Sequence, residues 1–172
     1  LGQIVEEWTG RPLPEVAADR LFDPAGMNAT RVRDDQGDLD PGQAQGYRDD
    51  GGGPEPVTSS WRQTGDGAVH TSVTDLLTWA GLFTGSPEAG GAGSARWREQ
   101  MLTAGAVPDG KDGYGGGLVM SDDGGQPTVS HDGSWAGVSS ALIIDVDSGT
   151  AVAVACNLEG VDATGIGEDI LD

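Results

Sequence analysis

The residues best equipped for chemistry lie in one stretch, Ser130-His131-Asp132-Gly133-Ser134-Trp135-Ala136-Gly137. A histidine closes a strand-like run there, and the two glycines after it let the backbone come close to a neighbour or a ligand. Trp135 falls on no helical core period, and a ring beside a glycine-loosened strand end can line a pocket. The same stretch reads equally well as a polar turn between two strands.

Other candidates are weaker. His70 precedes a helix-capping sequence and reads as a surface-loop residue. Asp122-Asp123-Gly124-Gly125 could offer oxygen ligands to calcium. It lacks the bidentate Glu and the ordered spacing of an EF-hand loop, so a solvated turn is the plainer reading. The sequence has no phosphate-binding glycine loop with its lysine, no His-Glu-x-x-His, and only one cysteine, Cys156. No metal and no cofactor are therefore expected. Cys156 sits in a strand-like run and reads as a small buried hydrophobe.

The elements that must hold these residues can be read from periodicity. Leu1, Ile4, Val5 and Trp8 recur at helical spacing, and Thr9-Gly10 ends that helix. A second helix opens with Pro12 and Pro14, carries Val16, Ala17, Leu21 and Phe22 on one side, and stops at Asp23-Pro24-Ala25-Gly26. Residues 28 to 67 show no sustained period. Asp34, Asp35, Asp38 and Asp40 crowd around Gly37, Gly51-Gly52-Gly53-Pro54 reads as a turn, and a short strand is expected near Gln45 to Arg48. The clearest helix follows Thr71-Ser72-Val73-Thr74-Asp75, where Ser72 and Asp75 have capping-box spacing. Its apolar face is Leu76, Leu77, Trp79, Ala80 and Phe83. Another amphipathic stretch runs from Ala95 to Leu102, with Trp97, Met101 and Leu102 inward. Trp8, Trp79 and Trp97 are expected to be packing residues.

After Gly113 the period becomes strand-like. Tyr114 to Met120 reads as one glycine-loosened strand and Thr128 to His131 as a short one. Val138 to Val146 and Thr150 to Cys156 are β-branched runs joined by Asp147-Ser148-Gly149, a hairpin signal. Residues 163 to 172 begin a last helix. The expected fold class is α+β: an antiparallel meander of three to four strands packed with helices. Residues 1–112 form a helical, loop-rich part and residues 113–172 the sheet with the start of a C-terminal helix, both parts of one truncated domain.

Composition narrows the partners. The 172 residues carry 28 Asp+Glu against 9 Lys+Arg, a formal net charge of -19. Such a chain is repelled by phosphate backbones and anionic lipid heads, so nucleic acid is not an expected partner. No apolar run is long enough for a membrane span. With a single cysteine the compartment stays open: secreted or cell-envelope, or cytoplasmic in a high-salt organism.

In their order these segments resemble the C-terminal part of the serine β-lactamase-like and penicillin-binding-protein-like hydrolases. That family includes class C β-lactamases, D-alanyl-D-alanine carboxypeptidases and related esterases. Leu1-Gly2 through Leu13 resembles the helix after the family's Tyr-x-Asn motif. Leu21-Phe22-Asp23-Pro24-Ala25-Gly26-Met27 is similar to its Phe-x-Pro-Leu-Gly-Met segment. Gly65 to Leu76 is similar to its Gly-Gly-x-x-Ser-Thr-x-x-Asp-Leu segment. Tyr114-Gly115-Gly116-Gly117 and His131-Asp132-Gly133 resemble the strand pair with the third motif, Lys-Thr-Gly or its His-x-Gly variant. Asn157 ends a strand as the family's Ser-Asn or Cys-Asn does.

The resemblance implies hydrolysis of esters, peptides or β-lactams through an acyl-enzyme. It implies that the Ser134 backbone N–H is an oxyanion donor, that Gly133 lets that strand lie close to the acyl group, and that His131 orients the substrate's carboxylate or polar end or supplies positive electrostatics. It also implies that Tyr114 and Trp135 contact a small-molecule or peptide substrate. A neutral imidazole gives a weaker field than lysine, which favours esterase or peptidase over lactamase activity. Val138 stands where the family usually has an aromatic residue.

The family's nucleophile is the serine of Ser-x-x-Lys. The single lysine here, Lys111, has Pro108 three places before it, and Tyr47 and Tyr114 are followed two places on by Asp49 and Gly116. Neither Ser-x-x-Lys nor Tyr-x-Asn is present. Both lie upstream of the matching region in the family, so truncation is expected, with the N-terminal remainder of the same enzyme as the missing partner. The alternative is a catalytically inactive binding or interaction module, calcium-stabilised in one version.

Overall fold

A computed structural model describes residues 1–33, 42–59, 65, 67–85, 93–103, 105, 113–123 and 126–171. Three helices come first: α1 (Gly2–Thr9), α2 (Leu13–Ala17) and α3 (Asp23–Ala25), with a π-helical turn, Ala18–Phe22, fused between the last two. That turn has a local cause. Pro24 has no N–H, and its ring would collide with the carbonyl four residues back in a regular α-helix. Widening the preceding turn, with the Asp23 N–H bonded to Ala18 O, removes the conflict. The helix thus runs through Asp23-Pro24-Ala25 and stops at Gly26.

Short strands follow: β1 (Arg31–Val32), β2 (Gly46–Arg48), β3 (Glu55–Val57) and β4 (Val69–His70). They form two two-stranded sheets, β1 with β4 and β2 with β3. Helix α4 (Val73–Thr84) then begins where its cap predicts, with Ser72 Oγ accepting the Asp75 N–H at 3.1 Å. The Asp75 carboxylate does not complete a capping box. It turns to the loop after α3, accepting the Ala29 N–H at 2.8 Å and the Thr30 hydroxyl at 2.7 Å.

Helix α5 (Ala95–Met101) leads to a five-stranded antiparallel meander: β5 (Gly113–Gly115), β6 (Leu118–Asp123), β7 (Gln126–Trp135), β8 (Val138–Asp145) and β9 (Ala151–Cys156). Helix α6 (Ala163–Leu171) closes the chain's described part. The α+β class and its antiparallel sheet agree with expectation; the strand number, three to four, does not. Tyr114 to Met120 is two strands, because Gly116 and Gly117 both take positive φ (60° and 80°) and make a two-residue hairpin turn. The run from Thr128 to His131 is also longer than expected, extending to Trp135 against the full length of β8.

The two faces of the sheet are dressed differently. Val129, Leu142 and Ile144 join Ala80 and Phe83 of α4 and Leu118 in one core, with Trp97 and Met101 of α5 against it. Trp79, Phe83 and Trp97 meet ring to ring, with centroids 5.0–5.7 Å apart. The opposite face takes α6, whose Gly167 is close enough that an added Cβ would lie 2.9 Å from Ile143 Cδ1. A second cluster, Ala17, Phe22, Ala25, Met27 and Val32, belongs to the first helices, and Trp79 packs against both clusters. Trp8 is not a packing residue. It is 87% exposed and Ile4 66%, so α1 forms as its period predicts but its apolar stripe has no cover among the described residues.

Candidate functional site

β7 is a central strand, yet among the described residues its last part is an open edge. β6 pairs with it only from Gln126 to Ser130, whereas β8 pairs with it as far as Trp135. Hydrogen-bonded and non-bonded pairs alternate along an antiparallel ladder. The Val146 N–H bonds to Pro127 O at 3.2 Å, which fixes the phase. Val129, His131, Gly133 and Trp135 therefore exchange bonds with β8. Asp132 and Ser134 turn their N–H and C=O groups the other way, where β6 has ended.

His131 is therefore within a strand rather than at its end. Its Nδ1 is 2.6 Å from the Asp132 carbonyl oxygen, which can only accept, so Nδ1 carries the proton. Nε2 faces the Tyr114 hydroxyl at a long 3.5 Å, with ring centroids 6.3 Å apart. A Cβ on Gly133 would lie 2.6 Å from Oγ of its cross-strand neighbour Ser140.

A cleft of about 1000 Å³ opens beside this edge. His131, Asp132, Trp135 and Val138 line it, together with Trp79, Phe83 and Met101 from the helices and Gly46 and Val57 of the β2–β3 hairpin. Tyr114 does not line it; Gly133 and Ser134 lie between lining residues along β7. His70 corrects the expectation of a surface-loop residue, because it is in β4, opposite Arg31 of β1, and lines the cleft. Cys156 and Asn157 line it too, and Asn157 Nδ2 donates to Gln45 O at 3.1 Å. Cys156 is half-buried rather than core.

One group near the cleft was not singled out by the sequence. Glu159, after β9, accepts the Gly137 N–H at 3.2 Å and a bidentate contact from Arg48 of β2, Nη2 at 2.9 Å and Nε at 3.1 Å. The Gly137 amide, then Arg48, hold the Glu159 carboxyl below the usual carboxylate range. The partners are far apart in sequence and carry no local pattern, so only the fold reveals them.

Among the described residues no group of His, Cys, Asp or Glu is arranged to hold a metal ion. The Asp122-to-Gly125 stretch, read as a solvated turn rather than a calcium loop, falls partly outside the described residues, since Gly124 and Gly125 are not among them; nor are Asp34, Asp35, Asp38, Asp40 and Lys111. Among the described residues no helix is long and apolar enough to cross a membrane.

A five-stranded antiparallel sheet sandwiched between helices, with a cleft at the open end of its middle strand, is the architecture of the β-lactamase/transpeptidase-like fold. The chain belongs to the beta-lactamase family, whose model matches residues 1–171. A D-aminopeptidase of Brucella anthropi is 28% identical over 140 residues, which is 80% of this chain and 26% of that protein. The octameric penicillin-binding protein homologue from Pyrococcus abyssi superposes with a TM-score of 0.86 at 27% identity, over 99% of this chain and 39% of that one. The D-amino acid amidase from Ochrobactrum anthropi SV3 superposes with a TM-score of 0.68 over 98% of this chain and 56% of its own; at 22% identity that likeness concerns the fold. The chain spans about a quarter of the length of the curated relative it matches.

Proposed function

We propose that this chain is the C-terminal, cleft-lining part of a serine hydrolase that cleaves amide bonds through an acyl-enzyme, and that its nucleophile comes from preceding sequence. The open edge of β7 beside the cleft is the observation that carries the reading. A tetrahedral intermediate needs N–H donors fixed before the reaction, and one such donor is typically worth about 3 kcal/mol. The Ser134 amide has the required character: it is on a strand held by β8 on one side and unmatched by β6 on the other. His131, with Nδ1–H tied to the Asp132 carbonyl, leaves Nε2 with only the long 3.5 Å contact to the Tyr114 hydroxyl, which a substrate would displace. Neutral, Nε2 accepts from an amine or hydroxyl; charged, it donates to a carboxylate. Trp135 gives the cleft an apolar wall, and Tyr114 reaches the site only through His131.

The absence of Ser-x-x-Lys and Tyr-x-Asn from these 172 residues fits a chain that covers 26% of its aminopeptidase relative. That relative's name favours peptides and amino-acid amides over β-lactams as substrates. The test is direct. The 172-residue chain leaves D-alanine p-nitroanilide, a chromogenic ester and a chromogenic cephalosporin intact, whereas the polypeptide extended upstream by its own coding sequence hydrolyses the anilide. A serine-directed phosphonate labels only the extended polypeptide. Phosphonate-sensitive turnover by the 172-residue chain, or an extended chain without Ser-x-x-Lys, overturns the proposal.

A further inference from the structure

Three segments remote in sequence meet at the far end of β7: the strand β2, the β7–β8 turn and the loop between β9 and α6. Gly137 is fixed there at both of its backbone groups. Its N–H donates to Glu159 at 3.2 Å, and its carbonyl accepts from the Tyr47 N–H at 3.1 Å, which is shared with Asn157 O at 3.0 Å. The Glu159 N–H in turn donates to Tyr47 O at 2.9 Å, so Tyr47 is held through both of its backbone groups. Gly46 and Gly137 touch backbone to backbone; a Cβ on Gly137 would lie 2.7 Å from the Gly46 carbonyl carbon. Arg48 completes the arrangement by gripping both oxygens of Glu159 at 2.9–3.2 Å.

The place matters more than the bonds themselves. Gly46 and Val57 line the cleft from the β2–β3 hairpin, and Trp135, Ala136 and Val138 line it from β7 and β8. The Glu159 carboxylate bridges these two walls, and it grips the turn two residues beyond Trp135. We propose that the Glu159–Arg48 pair is a positioning latch: it fixes the end of β7, and with it the open edge from Asp132 to Trp135, against the β2–β3 wall. Neither residue lines the cleft, so they act through Gly137 rather than on a substrate. The catalytic consequence rests on the hydrolase reading above; the mechanical one does not.

The mechanical consequence is tested by amide hydrogen exchange, followed by NMR on the 172-residue chain. Glu159→Ala speeds exchange at Gly137, Trp135 and Tyr47 about tenfold or more while Ile144, at the other end of β8, keeps its rate. Glu159→Gln retains an acceptor for Gly137 and restores much of that protection. Unchanged rates at Gly137 and Trp135 overturn the proposal. So does an equal rise at Ile144, which makes Glu159 a contributor to global stability only.

The upstream-extended polypeptide supplies the catalytic arm. There Glu159→Ala lowers kcat at least tenfold with KM changed less than threefold, because a misplaced N–H is missed chiefly in the transition state. An unchanged kcat in an active extended polypeptide refutes the role in the reaction. If that polypeptide is inactive in its wild-type form, the hydrolase reading fails, and the exchange rates still decide whether the latch exists.

Discussion

Replacing Gly137 by alanine asks how tightly the two cleft walls are held, and two other glycines separate the contributions. Gly137 has φ of 79°, and an added Cβ would meet Gly46 C at 2.7 Å and Tyr47 N at 2.8 Å. Gly149 has a similar φ of 75°, but its nearest contact would be Thr84 Cβ at 3.8 Å, an ordinary van der Waals distance. Gly46 is the converse: it has no positive φ, yet its Cβ would lie 2.9 Å from Gly137 O. The left-handed conformation costs an alanine about 1–2 kcal/mol. Forcing a methyl into a packed contact costs about 1–3 kcal/mol.

Gly149→Ala should accordingly lose about 1 kcal/mol, Gly46→Ala about 1–3, and Gly137→Ala about 2–5, because only the last carries both penalties. Urea unfolding followed by tryptophan fluorescence measures the three on one scale. Thermal midpoints give the same order, with about 2–4 °C per kcal/mol for a chain of this size. The double variant with Gly46→Ala and Gly137→Ala should be less destabilised than the sum of the singles, since backbone that has separated for one methyl admits the second. If Gly137→Ala costs no more than Gly149→Ala, the walls are not in contact at Gly46–Gly137 and the reasoning about the cleft end is wrong.

Two further outcomes can be checked on the same chain. Ser72→Ala removes the α4 cap and should cost about 1 kcal/mol in urea unfolding, whereas Asp75→Ala, which strips a buried acceptor from Ala29 and Thr30, should cost about 2–4 kcal/mol. The pH dependence of stability should carry the mark of Glu159. Its folded-state value is lowered, chiefly by the Gly137 N–H, so its stabilisation is present above the ordinary glutamate range and is lost as pH falls through the folded value. The urea midpoint of the wild type should decline on acidification below that range, and Glu159→Gln should flatten the decline; an identical acid limb in the variant contradicts it.

Legibility in the sequence followed the range of the forces involved. Helix α4 could be located because Ser72 caps it three residues from Asp75, and the β8–β9 hairpin because Asp147-Ser148-Gly149 supplies turn chemistry. Local signals also misled. The glycines that made Tyr114 to Met120 look like a loosened strand are the turn of a hairpin, and Gly-Gly carries both meanings. The period of α1 predicted its helix but not a partner for Trp8, because periodicity identifies an apolar stripe without saying what covers it. Arg48 and Glu159, 111 residues apart, gave no signal at all.

The open edge of β7 follows from a mismatch of lengths. The Gly116-Gly117 turn limits the β5–β6 hairpin, so β6 starts at Leu118, level with His131, and has no residue to set against Asp132, while β8 continues to Val138. An unmatched strand edge invites pairing with other chains, and soluble proteins blunt such edges with charge, twist or shortness. Here the unmatched stretch is short and carries His131, Asp132 and Ser134, polar residues that discourage a strand from another molecule. On the proposed reading a small carbonyl compound needs only one or two of these amides, far less of the edge than a whole strand would. On the proposed hydrolase reading the same few residues leave backbone donors open to a substrate, and the polar composition of 131–134, more than any single side chain in it, marks the candidate site.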